Sequence, residues 1–491
     1  MQPDDRRVGV AHVMERLSRH QGHMRWPNAL TQFFGGIVAL ATGASGGREG
    51  PAIHLGASAS SLLGRALGLP NNSIRMLVGC GAAAAVASAF NTPIAGVILA
   101  VEVVMMDYTV ASFIPAIVAA VTATLFLRAT YGAAPAFDVP PVALSSLFEI
   151  PYVLIAGVLC GGVAVLFTRC VGIFAAWSRL PVLARCTLAG VITGAAAIVA
   201  PAVMGVGYDT VNAALAGEIA VSVLIVALAL KIVATSACVG LGLPVGLIGP
   251  AFMAGALLGA LLGEGAHAVA PTVVSSVGLY VMLGMAAMMA AMLQAPLAAL
   301  MAVLELTANP HIVLPAMLII VVATMTASHV FAERSVFAML LARLGLSYDV
   351  NPVTLHLQRA GVVGLMQKEF VRLPQTVDVT TARHATASRQ RWVLIESEAQ
   401  DARSILNATD LRRYLESDDA PAEGDIDLMR VPGLREDVAM IDDKATVHEA
   451  LETLDRSGAE ALCVHRTATP SAAGVVGILP RADVERYARF G

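Results

Sequence analysis

Between about residue 28 and residue 332 this chain carries few charges, and from Glu333 to its end it carries many. Over the whole sequence charged residues make up 14%, where a soluble protein has about 25%. The pattern fits a polytopic membrane domain followed by a soluble one. Apolar runs centre on roughly 29–46, 76–104, 112–127, 148–168, 184–204, 218–238, 246–262, 276–304 and 312–331. Several are shorter than the about 20 residues of a simple span, or are broken by Gly and Pro. Broken helices persist in lipid only where protein or a water-filled cavity satisfies the freed backbone, so the pattern leans toward transport.

Two segments repeat. Gly81 to Val104 reads GAAAAVASAFNTPIAGVILAVEVV, and Gly284 to Thr307 reads GMAAMMAAMLQAPLAALMAVLELT. Gly81 pairs with Gly284, Asn91 with Gln294, Pro93 with Pro296, Ala95 with Ala298 and Glu102 with Glu305. Upstream of each lies a second match, GREGPA (Gly47 to Ala52) and GLIGPA (Gly246 to Ala251). The halves therefore span roughly 30–130 and 217–332. Paired Gly/Pro-interrupted segments mark the binding site of a repeat-built transporter.

The glycine–proline elements read as helix starts. Proline suits the first helical turn, where its missing N–H is not needed. Glycine lets a ligand approach the backbone. The first N–H groups of a helix are unsatisfied and carry partial positive charge, so two such starts at mid-membrane make an anion site without a full charge. Glu49 then has a purpose. Its carboxylate imitates the anion and fills the site when ionised, and leaves when protonated, which makes a gate. Arg48 adds positive potential and structural hydrogen bonds.

On these residues the chain resembles the CLC family of chloride channels and chloride/proton antiporters. GREGP carries the resemblance, with FNTPIAGVILAVE (Phe90 to Glu102), GLIGP, APLAALMAVLELT and ERSVFAMLLARLGL (Glu333 to Leu346) following in the family's order. The likeness runs from about residue 7 to 346. It implies an all-α polytopic membrane domain with inverted repeats and broken helices, a two-pore homodimer in the plasma membrane, and chloride and similar anions as cargo. Residues 1–27 are expected to precede the first full membrane helix, and 28–346 to form the membrane domain. Glu49 falls on the family's external gating glutamate. Gly47, Arg48, Gly50, Gly246, Leu247 and Ile248 fall on its anion path.

The departures from the family pattern also carry information. The antiporters' inner proton-relay glutamate lies directly after the position of Glu102, and here that residue is Val103. This puts a passive, glutamate-gated channel first and a proton-coupled antiporter second, with Glu102 itself read as structural. The family's central tyrosine is Phe337, and its N-terminal serine, within RVGVA, is Val8. Loss of both hydroxyls leaves mainly backbone donors and predicts weaker chloride binding. Family members carry further membrane segments before RVGVA, so the resemblance implies an N-terminally shortened form.

The tail, 347–491, reads as a small α/β domain of alternating strands and helices. ATVHEALETLDRSGAEALCVH places Val447, Ala450, Leu451 and Leu454 on one helix face before a strand. RWVLIESEAQDARSILNATDLRRYLES is a poorer copy of the strand–helix ending. The tail resembles a cytoplasmic pair of CBS domains. In nucleotide-binding pairs an aspartate after a Ser/Thr turn holds ribose, which points to Thr409 with Asp410 and to Asp483 for an adenine nucleotide, with helix N-capping as the plainer role of both aspartates.

Other classes find less support. An intramembrane enzyme needs a nucleophile–base pair or metal ligands. The sequence holds no HExxH, and His54 reads as a structural helix-face histidine. A CBS-linked cation transporter needs acidic clusters in the membrane, where only Glu49, Glu102 and Glu305 are read as core residues. The six cysteines are scattered with no C-x-x-C pair, and read as small core residues. No cofactor is implied besides the adenine nucleotide of the CBS-like tail. The net charge of −4 gives no reason to expect a nucleic-acid partner, and the polar first 27 residues do not read as a signal peptide.

Overall fold

The structure is a computed structural model. It describes residues 7–132, 137, 143–271, 274–346, 352–387, 390–396, 402–466 and 474–490. The expected domain boundary at 346/347 borders residues outside that set. Two compact units emerge, one of residues 1–67 with 74–349 and one of residues 68–73 with 350–491.

The first unit is helical. Its first half contains α1 (Gly9–Arg19), α2 (Trp26–Ala41), α3 (Glu49–Ala66), α4 (Asn71–Phe90), α5 (Pro93–Leu99) and α6 (Val110–Tyr131). Then come α7 (Ile150–Ala175), α8 (Val182–Val199) and the short α9 (Tyr208–Leu215). The second half contains α10 (Val221–Gly240), α11 (Ile248–Val269), α12 (Val277–Leu293), α13 (Pro296–Thr307) and α14 (Val313–Met325), followed by α15 (Val336–Arg343). Among the described residues seven helical segments are long and apolar enough to cross a membrane. Much of α6 is exposed and apolar, including Ile114, Val118, Leu125 and Phe126, as befits a lipid-facing surface.

The repeat is structural. Asn91 and Gln294 both adopt left-handed backbone, with φ of 59° and 56°. Each ends the preceding helix, α4 or α12, and each is followed within two residues by the proline that starts the next. Within each half the helix pair crosses at a pair of glycines, Gly56 with Gly81 and Gly255 with Gly284. A Cβ on any of the four would overlap a carbonyl of the facing backbone, so only glycine permits this approach.

The two halves are joined reciprocally. Glu102 accepts hydrogen bonds from the N–H groups of Leu297 and Ala298 in the first turn of α13, at 3.3 and 2.6 Å. Glu305 accepts from Ile94 and Ala95 in the first turn of α5, at 3.0 and 2.7 Å. Each glutamate lies near the far end of its own helical segment and caps the start of the other, so the two segments run antiparallel. This gives Glu102 the structural role read for it.

Three expectations change. The N-terminal segment is integral to the unit: Val13, Met14 and Met24 are fully buried, and α1 packs on α3 and α15. Its polar residues hid this, because His12, Glu15 and Arg16 face protein and not water. The buried acids also differ from the three expected: Glu305 is only half-buried, while Glu15, Asp107 and Glu149 are buried beside Glu49 and Glu102. Glu149 is satisfied by Ser275 and Tyr280. Of the cysteines, four are buried, Cys170 is half-buried and Cys186 is exposed at the start of α8, so not all are core residues.

The second unit begins with α16 (Pro352–Arg359). It then holds β1 (Phe370–Pro374), β2 (Thr376–Asp378), α17 (Val379–Ala387), β3 (Trp392–Glu396), β4 (Ala402–Asn407) and α18 (Ala408–Leu415). After β5 (Asp425–Asp427) come β6 (Arg435–Asp442), α19 (Val447–Ser457), β7 (Ala461–His465), β8 (Val475–Pro480) and α20 (Arg481–Phe490). The main sheet has strand order β1-β3-β4-β6-β7-β8. β1 and β3 are parallel across α17, β6 and β7 are parallel across α19, and β3–β4 and β7–β8 are antiparallel. The unit is thus two copies of one βαββα motif, each with its own apolar core. In α19, Val447, Ala450 and Leu454 are the buried face and Leu451 is partly buried. Its start is fixed by a Thr446/Glu449 capping box.

Candidate functional site

The two glycine–proline elements meet. Gly47 and Gly246 form an antiparallel bridge, with Gly47 N donating to Gly246 O at 2.7 Å and Gly246 N to Gly47 O at 2.6 Å. Two residues later each chain turns into a helix, α3 at Glu49 and α11 at Ile248. The bridge therefore holds two helix starts together inside the unit.

Glu49 is fully buried there. Its Oε2 accepts from the N–H of Gly249 at 3.4 Å, and its Oε1 from the hydroxyl of Tyr208 at 3.4 Å. The carboxylate thus lies against the N-terminus of α11, where an anion is favoured. Glycines shape the cradle. A Cβ on Gly47 would overlap the Glu49 carboxylate, and one on Gly249 would stand 2.8 Å from its Oε1. A Cβ on Gly50 would stand 2.8 Å from the Cα of Gly246. The family resemblance implies amides near Leu247 and Ile248 for the central anion site. The N–H that reaches the carboxylate belongs to the next residue, Gly249, while Leu247 is the N-cap and Ile248 the first residue of α11.

Arg48, the N-cap of α3, is exposed and lines a cavity of about 520 Å³ with Ser88, Phe90, Asn91 and Tyr131. Its guanidinium donates to Ala89 O at 2.8 Å and lies 5.8 Å from the centre of the Tyr208 ring. Tyr208 also meets Phe137 edge to face. A cation thus lines this cavity, one residue before the buried Glu49.

The remaining expected positions are also helix starts. Val8 is the N-cap of α1. Phe337 is buried in the first turn of α15. Neither has a hydrogen-bonding side chain; at these starts Gly9 N donates to Gln32 Oε1 at 2.8 Å and Ala338 N to the N-cap Ser335 Oγ at 3.2 Å. Val103 is buried in a π-helical turn, Ala100–Met105, that continues α5. α1 packs against that turn. His54 has a structural partner: its Nε2 lies 2.9 Å from His12 Nδ1, and Arg16 Nε donates to His12 Nε2 at 3.1 Å.

In the second unit Asp410 and Asp483 occupy equivalent first turns, of α18 and α20. Neither is an N-cap. Asn407 caps α18, accepting from Thr409 N at 2.9 Å, so the capping role read for Asp410 is taken by its neighbour. Asp483 accepts from Gln367 Nε2 at 2.5 Å, and Gln367 in turn accepts from Trp392 Nε1 at 2.7 Å. Thr409 is exposed. Asp410 faces the exposed Arg413, at 3.6 Å.

Sequence reading missed Tyr208 and Lys231. A fully buried lysine in an otherwise apolar run was the available sign for Lys231. Tyr208 gave none, because it reaches Glu49 across 159 residues of sequence. Among the described residues no cluster of His, Cys, Asp or Glu is placed to hold a metal ion.

The family model described as voltage gated chloride channel matches residues 1–328. The chain is 36% identical over 345 residues to the putative chloride channel protein ClcB-like of Ralstonia nicotianae, a match covering 69% of this chain and 80% of that protein. It is 29% identical over 246 residues to the H(+)/Cl(-) exchange transporter ClcA of Cronobacter sakazakii, covering 48% of this chain and 53% of that one. It thus spans about half the length of that exchanger. Among solved structures it resembles a slow cyanobacterial Cl-/H+ antiporter, with a TM-score of 0.61 and 25% identity over 70% of this chain and 82% of that chain.

Proposed function

The chain belongs to the voltage gated chloride channel family, and we propose that it exchanges chloride for protons across a cell membrane, with Glu49 as the shared gate. The observation that carries this reading is the Glu49 carboxylate lying against the N-terminus of α11 in a glycine cradle. An ionised carboxylate and a chloride ion compete for the same N–H donors. Protonation removes the charge that holds Glu49 there, the side chain leaves, and chloride enters. One group thereby answers to both ions.

Val103 argues for a passive channel, and the sequence alone puts that first. The ClcA exchanger and the cyanobacterial antiporter among the chain's likenesses favour exchange instead. We further propose that it sits in the plasma membrane as a homodimer with its C-terminal unit cytoplasmic, a reading that the family resemblance supports.

The test is ion flux from chloride-loaded proteoliposomes under an outward chloride gradient, with external chloride and pH recorded together. Exchange predicts that chloride efflux drives protons inward against their gradient, and that Glu49→Gln abolishes the proton movement. Chloride efflux without proton movement in the unaltered protein would assign a passive path instead.

A further inference from the structure

Helix α10 turns three buried polar residues to one side, Lys231, Thr235 and Cys238, spaced i, i+4 and i+7. A buried ammonium in a membrane domain is costly unless its donors are used. Lys231 Nζ donates to Val203 O at 3.1 Å and Gly205 O at 2.7 Å. One turn further, Thr235 Oγ1 lies 2.8 Å from Ser45 Oγ. These contacts hold two different loops. Val203 and Gly205 belong to the loop that runs into α9 and delivers Tyr208. Ser45 belongs to the loop that runs into α3 and delivers Glu49. The loops also bond each other, Gly205 N donating to Ala44 O at 3.2 Å.

We propose that Lys231 and Thr235 are positioning residues that bracket these two loops, set the Tyr208 hydroxyl against the Glu49 carboxylate, and thereby fix the pH at which the gate opens. This rests on Glu49 being the gate. The charged and titratable groups facing Glu49 are Arg48 at the start of α3, Tyr208 on α9 and Lys231 on α10, while α11 offers the Gly249 N–H. All of them favour the ionised carboxylate. Loosening the bracket removes part of that support, so Glu49 takes its proton at a higher pH and the path stays open further into the alkaline range.

The experiment is chloride flux against pH in proteoliposomes for the full chain and for Glu49→Gln, Lys231→Met, Lys231→Arg, Thr235→Val and Tyr208→Phe. Glu49→Gln is expected to flatten the profile. Lys231→Met is expected to raise the pH of half-maximal flux by on the order of one unit, and Thr235→Val and Tyr208→Phe by a smaller amount in the same direction. Lys231→Arg, which keeps the charge and two donors, is expected to restore most of the wild-type value. Lys231→Met combined with Tyr208→Phe is expected to shift the profile no further than Lys231→Met alone, because both act through one contact.

Lys231→Met protein that folds, by thermal melting and gel filtration, and keeps the wild-type half-maximal pH would overturn the proposal. Should Lys231→Met not fold, Thr235→Val decides: a wild-type midpoint in that variant, beside a shifted one in Tyr208→Phe, removes the bracket. A profile that Glu49→Gln fails to flatten would overturn the gate reading itself, and the bracket with it.

Discussion

Among the described residues the donors that reach Glu49 from other elements are the Tyr208 hydroxyl and the Gly249 N–H, both at 3.4 Å. Ordinary O–H···O bonds are about 2.7–2.8 Å long and N–H···O bonds about 2.9–3.0 Å, so the carboxylate is held loosely. A gate needs this, since a tight carboxylate would not yield to chloride. The cradle around it has no spare volume. Gly249→Ala puts a Cβ 2.8 Å from Glu49 Oε1 and is expected to expel the carboxylate. Chloride flux in that variant should lose most of its pH dependence while persisting at alkaline pH, as read by the same liposome assay. Glu49 was legible because its motif is local: charge beside glycine and proline at a helix start. Tyr208 and Lys231 were not, because their parts depend on loops that meet only in the folded chain. Gly249 was not singled out, since a motif gives the helix start but not which of its N–H groups points at Glu49.

At the scale of elements, the exchange of caps between Glu102 and Glu305 decides how the halves hold together. Each carboxylate satisfies two N–H groups at the start of the other half's helix. Glu102→Ala or Glu305→Ala leaves those donors without partners inside the protein. Each substitution is expected to destabilise the fold by roughly 1–3 kcal/mol, seen as a lower melting temperature in detergent. The two losses should be similar in size, and Glu102→Ala should leave the pH of half-maximal flux unchanged, because its contacts are with α13 and not with Glu49. The repeat itself was plain in the sequence, where glycine, amide, proline and glutamate recur in order. The reciprocity was not, because a repeat says that two segments are alike and is silent on which touches which. Helix α1 escaped for another reason. Its polar residues are the mark of a solvent face in most helices, and here they are buried in a hydrogen-bonded network with α3.

At the scale of the whole molecule, one chain carries two duplications of different kinds, an antiparallel pair of helical halves and a pair of βαββα copies. The second copy in the tail was readable from its amphipathic helix and the strand after it. The first was fainter in sequence, yet it takes the same course through β1, α17, β3, β4 and α18. Equivalent positions in the two copies are not equally available. Asp483 is engaged by Gln367 at 2.5 Å, while among the described residues the ion-pair partner of Asp410 is the exposed Arg413 at 3.6 Å. An adenine nucleotide is therefore expected to take its ribose contact from Asp410. Calorimetric titration of the full chain with ATP should show binding that Asp410→Ala removes and Asp483→Ala retains.

The crossed caps also bear on how the molecule is made. Ala95 emerges from the ribosome with its N–H unmet, and the carboxylate that will meet it lies 210 residues further along the chain. At about 5–20 residues per second, the first half waits roughly 10–40 s for its partner. During that interval Glu102 also has no helix to cap. A half-made chain therefore sits in the membrane with a stray carboxylate and bare amides on one surface. That surface is what an insertion chaperone would shelter and what a membrane protease would recognise in a chain whose synthesis stalls between the two halves.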